Sequence, residues 1–152
     1  MHIESLILYF DNHLALTDYE KEAVRKSFSE KRVKRRQFIL QAGDVCRLNT
    51  FVVEGCLRMY MLDDNGKEHN LQFAIENWWI GDIASFYSEE PSRLYIEAIE
   101  NSIMLQIKKE DQLRLFVEYP KFNRIFRVFT EKSLVNYQRR VLQNISSTAA
   151  ER

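Results

Sequence analysis

A mainly β fold flanked by helices is the class this chain predicts, and three observations predict it. Between about residues 33 and 108, short alternating runs of apolar and polar residues are separated by turn signals at near-regular spacing, the pattern of a sandwich or barrel. On either side of that zone the apolar spacing switches to three and four, the period of a helix. Apolar residues make up 45% of the 152, with 10 Phe and 7 Tyr, which is enough to pack a core in a domain of this length.

The first helix is predicted by Leu6, Ile7, Phe10 and Leu14 at helical spacing. Thr17-Asp18-Tyr19-Glu20 is a capping box: the Thr17 side chain accepts from the third amide of a helix and Glu20 reaches back to the Thr17 amide. It opens a second helix through Ala23, Val24 and Phe28. The strands follow. Gln37 to Leu40 ends at Ala42-Gly43-Asp44, and Phe51 to Val53 ends at Glu54-Gly55. Leu57, Met59 and Met61 alternate with Arg58, Tyr60 and Leu62. Asp63-Asp64-Asn65-Gly66 carries the Asn-Gly signal of a tight hairpin, and Lys67 to Ile75 is the returning strand, with His69 facing no identified partner. Leu94 to Ile99 and Ile103 to Ile107 complete the set.

From Lys109 the helical period returns. Asp111 to Tyr119 is a short helix broken by Pro120. Residues 121 to about 145 are read as one long helix. Its apolar stripe runs Phe122, Ile125, Phe126, Phe129, Leu134, Tyr137, Val141, Leu142 and Ile145. Its length, almost 40 Å at about 1.5 Å per residue, exceeds what a small barrel needs for cover. The reading is a helix that packs partly on a second copy, with Phe122, Phe126, Phe129, Leu134, Tyr137 and Val141 as the dimer interface. Thr148-Ala149-Ala150-Glu151 is a second capping box with only Arg152 after it. It is read as the start of a further module, making the chain a fragment or natural truncation. The organisation is then 1–120, 121–145 and 146–152.

Composition excludes several function classes. Lys plus Arg and Asp plus Glu both number 22, so global charge makes no case for nucleic acid. No apolar run reaches the roughly 18 residues of a membrane helix, and the N-terminus lacks signal-peptide features. With no secretion signal, Cys46 and Cys56 are read as reduced thiols in a cytoplasmic chain. His2, His13 and His69 do not converge on the strand zone, which argues against a cupin-type metal site. Two cysteines are too few for an iron–sulfur sensor. No residue pattern supports a catalytic nucleophile with its base, so the chain is read as a non-enzyme, without a metal. The basic clusters, Lys31 to Arg36 and Lys121, Arg124, Arg127, Lys132, Arg139 and Arg140, are read as solvated faces. Trp78 and Trp79 are weighed as ligand-stacking groups against core or edge filler.

The most informative stretch is Ile80-Gly81-Asp82-Ile83-Ala84-Ser85-Phe86, followed by Ser92-Arg93 and Tyr95-Ile96-Glu97-Ala98. A Gly, an acid and a small residue precede a short loop and an alternating strand, which places backbone N–H groups and one carboxylate together. With Ala42-Gly43-Asp44 and Gly55-Cys56-Leu57-Arg58, these residues resemble the sensor domain of Crp/Fnr-type bacterial transcription regulators, in a variant similar to those of the Bacteroidetes. The resemblance covers nearly the whole chain. It implies a double-stranded β-helix (jelly roll), a cyclic-nucleotide-binding-like domain of eight strands. It further implies a long helix forming a homodimer, and DNA contact only through a C-terminal helix-turn-helix absent from this chain. The implied cofactor is a cyclic nucleotide or another small anionic effector. The implied ligand-binding set is Gly81, Asp82, Ile83, Ala84, Ser85, Ser92, Arg93 and Tyr95, with Arg58 as a further pocket group. One departure stands out: Ser92 occupies the place of the family's phosphate-clamping Arg, with Arg93 one residue later. A hydroxyl cannot supply the bidentate charge of a guanidinium, and adjacent residues on a strand face opposite ways. The implied mechanism is an effector at the cassette that repositions the long helix near Leu134 to Tyr137. The alternative is a stand-alone ligand-binding or interaction module with no DNA role.

Overall fold

A computed structural model describes the backbone of residues 2–151 and the side chains of residues 2–147. The expectations resting on Met1, on Arg152 and on the Thr148 and Glu151 side chains lie outside the described residues. The element order is α1 (Ile3–His13), α2 (Asp18–Ser27), β1 (Ser29–Val33), β2 (Phe38–Leu40), β3 (Leu48–Glu54), β4 (Leu57–Leu62), β5 (Glu68–Ala74), β6 (Trp79–Ile80), α3 (Ile83–Ser88), β7 (Leu94–Ala98), β8 (Ser102–Lys108), α4 (Lys109–Glu118) and α5 (Pro120–Glu151).

The eight strands form two four-stranded antiparallel sheets, ordered β1-β8-β3-β6 and β2-β7-β4-β5. Strand alternation divides the apolar residues between two cores. Val52 of β3 and Met104 of β8 point between the sheets, where they meet Val33, Leu40, Leu57, Met59, Ile96 and Ala98. Their neighbours Phe51, Leu105 and Ile107 point the other way, into a core shared with α1, α2, α4 and α5. The first sheet is thus covered on both faces, whereas the outer face of the second carries the polar and aromatic side chains of β4 and β7.

Local signals account for the joints. The Thr17–Glu20 capping box is formed in both directions, at 3.2 and 2.7 Å. At the β4–β5 hairpin Asp63 accepts the amides of Asn65 and Lys67, both at 2.9 Å. The Asp63 carboxylate also pairs with His69 at 2.8 Å, which supplies the partner the sequence left unnamed. Gly55 sits at φ +103°, and a Cβ there would lie 2.2 Å from Ser102 Oγ, so only glycine fits between β3 and β4.

Three expectations are corrected. β1 begins at Ser29, so half of the basic run read as preceding the first strand lies in a strand; its charged pattern hid it from an apolar-run reading. The loop expected after Asp82 is the short helix α3. The long helix does not stop near Ile145: its backbone stays helical through Glu151, with no boundary at Thr148.

α5 also carries two apolar stripes rather than one. At about 100° per residue, Phe122, Ile125, Phe126 and Phe129 centre on one face. Leu134, Val135, Val141, Leu142 and Ile145 centre roughly 165° away, almost opposite. The first group is spent within the chain. Phe122 is fully buried and Phe126 nearly so, both against Phe10, and Phe129 stacks on Phe10 and meets the Tyr9 ring at a tilt. Phe122 and Phe126 therefore cannot form a dimer seam, and Phe129 is largely committed to the same core. The second group is exposed, Leu134 at 66%, Leu142 at 57% and Ile145 at 61%, and Tyr137, which lies between the two faces, is exposed as well.

Candidate functional site

The cassette begins where β6 ends. β6 is held to β3 by pairing of Thr50 with Ile80 and Phe51 with Trp79, which fixes where Gly81 and Asp82 leave the first sheet. Asp82 is the N-cap of α3. Its Oδ1 accepts the Ser85 amide at 3.3 Å, and its Oδ2 accepts the Ser92 hydroxyl at 2.6 Å. The second distance is that of a charge-assisted O–H···O⁻ bond. Ser92 Oγ in turn accepts the Leu94 amide at 3.0 Å. Ser92 is buried, 4% exposed. The Ser92 hydroxyl thus occupies one oxygen of the cassette carboxylate, and the Ser85 amide the other.

Ser85 is likewise engaged. It is buried, donates its hydroxyl to Glu90 O at 2.6 Å and accepts the Cys46 amide at 2.8 Å. It ties α3 to the loop before β3 and to the loop before β7. Backbone bonds reinforce this junction: Ser92 N–H donates to Asp44 O and Gly43 N–H donates to Ser92 O, both at 2.8 Å. The Ala42-Gly43-Asp44 turn is therefore part of the same structure as Ser92, which sequence spacing alone did not reveal.

The other members of the implied set are placed differently. Ile83 and Ala84 are exposed on the outer side of α3. A Cβ added to Gly81 would make only ordinary contacts, 3.6 Å from Asn49 Oδ1 and 3.7 Å from Leu48 O, so nothing within the chain demands glycine there. Leu94, Ile96 and Ala98 face the roll interior, and so Arg93 and Tyr95 face outward by strand alternation. Arg93 is exposed, and Tyr95 stacks on Tyr60 at 5.2 Å and meets Phe38 at 5.9 Å. No bulge turns Arg93 inward, so Arg93 and Tyr95 both lie outside the roll interior. Arg58 also lies on this outer face, over the Tyr60 ring, bound to Glu97 at 2.7 Å and to Glu68 at 2.7 Å. The Glu68 and Glu97 carboxylates hold its guanidinium firmly in the charged form against its partial burial.

The tryptophans divide as adjacent strand residues must. Trp79 packs in the helix-side core against Phe51 and Phe126, while Trp78 is exposed. Both cysteines are free; burial pushes the Cys46 thiol above its ordinary range, which disfavours the reactive thiolate. Among the described residues no cluster of His, Cys, Asp and Glu is arranged to hold a metal ion, and no helix is long and apolar enough to cross a membrane.

α3 is wired to the helices that follow the roll. Lys109 Nζ, at the start of α4, donates to Tyr87 O at 2.8 Å, and Gln112 Nε2 donates to the Tyr87 hydroxyl at 3.1 Å. Gln112 is buried and its Oε1 accepts from Asn49 of β3 at 3.3 Å. α4 leads directly into α5. At the start of α5, Lys121 Nζ binds Ala15 O at 2.7 Å and Glu20 at 2.8 Å, closing α5 onto the N-terminal helices. Further along, the Arg140 guanidinium binds Leu71 O of β5. None of these bonds was legible in sequence, since each joins segments distant along the chain.

Residues 30–119 match the cyclic nucleotide-binding domain family, more than half of the chain. The chain belongs to that family. No curated protein matches it. Among solved structures it is similar to the Thermus thermophilus catabolite activator protein, with TM-score 0.70 and 19% identity over 84% of this chain and 60% of that one. The chain thus spans less than two thirds of the length of that protein. It is also similar to the sensor domain of the Pseudomonas aeruginosa transcriptional regulator DNR (TM-score 0.66, 14% identity, 86% of this chain and 84% of that one). A third neighbour is the regulatory subunit of a cAMP-independent protein kinase A from Trypanosoma brucei (TM-score 0.66, 15% identity, 92% of this chain and 52% of that one). The cyclic-nucleotide-binding jelly roll expected from the cassette is thereby the fold of this cyclic nucleotide-binding domain.

Proposed function

We propose that this cyclic nucleotide-binding domain is the effector-sensing and dimerisation part of a Crp/Fnr-type transcription regulator. The observation that carries the reading is the run of contacts from cassette to long helix: α3 through Tyr87 to Lys109 and Gln112 of α4, and from α4 into α5. Any ligand that moves α3 must strain or break those bonds, so occupancy at the cassette is coupled to the pose of α5. The exposed second stripe of α5, with Leu134 and Val141, and the exposed Tyr137 beside it suit a homodimer partner.

The effector in this reading is a small anion that need not be cAMP. It has to compete with Ser92 for Asp82, and a bidentate arginine clamp is missing. The similarity to the regulatory subunit of a Trypanosoma brucei protein kinase A described as cAMP-independent is in keeping with this. DNA contact would require a helix-turn-helix module beyond the described fold.

The test is a thermal-shift titration with cAMP, cGMP, cyclic dinucleotides and small acids, since a ligand specific to the native state raises Tm. Light scattering measures the assembly state in parallel. A shift with one anion, lost in Asp82→Ala, together with a dimeric mass supports the proposal. A monomer at high concentration with no shift in any ligand favours the alternative, a stand-alone interaction module.

A further inference from the structure

We infer that the wedge between β1 and β2 is a docking slot for an acidic, extended segment of a partner protein. β1 ends one sheet and β2 ends the other, on the same side of the roll. Only residues 34–37 separate them, yet no backbone hydrogen bond bridges the two strands. The connecting turn is pinned elsewhere. Arg36 N–H donates to Ala98 O at 2.7 Å and Ala98 N–H donates to Gln37 O at 2.9 Å. The Arg35 amide donates to Asn101 Oδ1 at 2.9 Å and the Lys34 amide to Gln37 Oε1 at 2.8 Å. Arg36 holds φ +73°, outside the usual range of a non-glycine residue. The strands are therefore held apart by a rigid corner, and the gap is a cavity of about 490 Å³ lined by Lys31, Arg32, Gln37, Phe38, Gln41 and Asp44 among others.

Two features select the occupant. Each strand presents an edge without a strand partner, and an extended chain satisfies such an edge by adding a strand. Five of the six residues from Lys31 to Arg36 are basic and all five are exposed. Among the described residues only Arg32 of these has an acidic partner, Glu30 at 3.2 Å. Charge complementarity therefore favours carboxylates, and like charge excludes basic strands. A nucleic-acid duplex would meet the same charge, but it has no backbone amides to offer a strand edge and is too broad to enter the wedge. Lysines on an edge strand also guard against aggregation, and that simpler role is an outcome of the test.

The probe is a fluorescein-labelled peptide of alternating Glu and Val. The controls are a Lys–Val peptide, a Glu–Val peptide interrupted by proline, and a DNA duplex of equal charge. Anisotropy is read at low and high salt with the whole chain, and hydrogen exchange is followed at the β1 and β2 amides. The expected result is binding of the Glu–Val peptide alone, with slowed exchange at Lys31–Val33 or Phe38–Leu40. Lys31→Glu with Lys34→Glu, both on exposed side chains, should weaken it by roughly tenfold or more. The inference is overturned if no peptide binds. It is equally overturned if the duplex or the proline-interrupted peptide binds as well, or if binding leaves exchange at both strands unchanged; the basic run is then an edge guard or a polyanion site.

Discussion

Replacing Ser92 by Ala isolates the bond that distinguishes this cassette. The hydroxyl is buried and makes two contacts, one to Asp82 at 2.6 Å and one from the Leu94 amide at 3.0 Å. A hydrogen bond to a charged group contributes about 1.5–3 kcal/mol net. Asp82 keeps its bond from the Ser85 amide, so the expected loss is near the middle of that range, about 2 kcal/mol. For a chain of this length that lowers Tm by roughly 4–8 °C. The assay is urea denaturation at fixed protein concentration, where an unchanged slope with a lower midpoint reports stability alone. The double-mutant cycle with Asp82→Ala carries the sharper test, because two residues sharing one bond should be non-additive by about 1 kcal/mol or more. A Ser92→Ala cost below about 0.5 kcal/mol, or strict additivity with Asp82→Ala, would refute the reasoning that this hydroxyl closes the cassette onto its own carboxylate.

Three further outcomes follow from the same geometry. Leu134→Glu with Val141→Glu should weaken self-association by roughly two orders of magnitude or more, measured by sedimentation, while leaving the roll folded, because both side chains lie outside its cores; unchanged association would sink the dimer seam. Burial opposes ionisation of Glu20, but the hydrogen bonds from Lys121 and Thr17 outweigh it and hold its carboxyl below the ordinary range. Its contribution is therefore present in full above the pKa of an unfolded glutamate, roughly 4.3, and is lost as pH falls through the lower folded value. Glu20→Gln should flatten that acid limb of the stability profile, and identical limbs would contradict it. Gly55→Ala should cost more than about 2 kcal/mol by chemical denaturation, since the added Cβ lies 2.2 Å from Ser102 Oγ at a positive φ; a neutral substitution would mean the β3–β4 joint is looser than described.

What the sequence determined by itself is local. The Thr17–Glu20 cap, the Asn-Gly hairpin, the alternation of β3, β4, β7 and β8, and the break at Pro120 are each set by a few consecutive residues. Their physics is the period of the backbone and the φ preference of single residues. The spacing of those elements was enough to indicate a sandwich or barrel, and the resemblance of the Ile80–Phe86 and Ser92–Ala98 residues to a known family indicated the cassette. β1 escaped because an edge strand made of Glu30, Lys31 and Arg32 carries no apolar alternation to read, and α3 escaped because six residues are too few to show a period.

Only the tertiary structure decided which groups are free to act. Ser92 and Asp82 are ten positions apart and meet because Gly43 and Asp44 hold Ser92 by backbone bonds while Ser85 ties α3 to Cys46 and to Glu90. Arg93 and Tyr95 lose their place in the pocket because β7 pairs in a register that turns Ile96 and Ala98 inward. The single apolar list along α5 divides because α1, α4 and Trp79 of β6 meet one face of its first half, while among the described residues the apolar side chains on the opposite face of its second stay exposed. A periodic pattern states that a face will be buried; what buries it is settled by elements far away in sequence. That is why the fold of this domain could be read from its residues, while the closure of its cassette and the division of labour along its long helix could not.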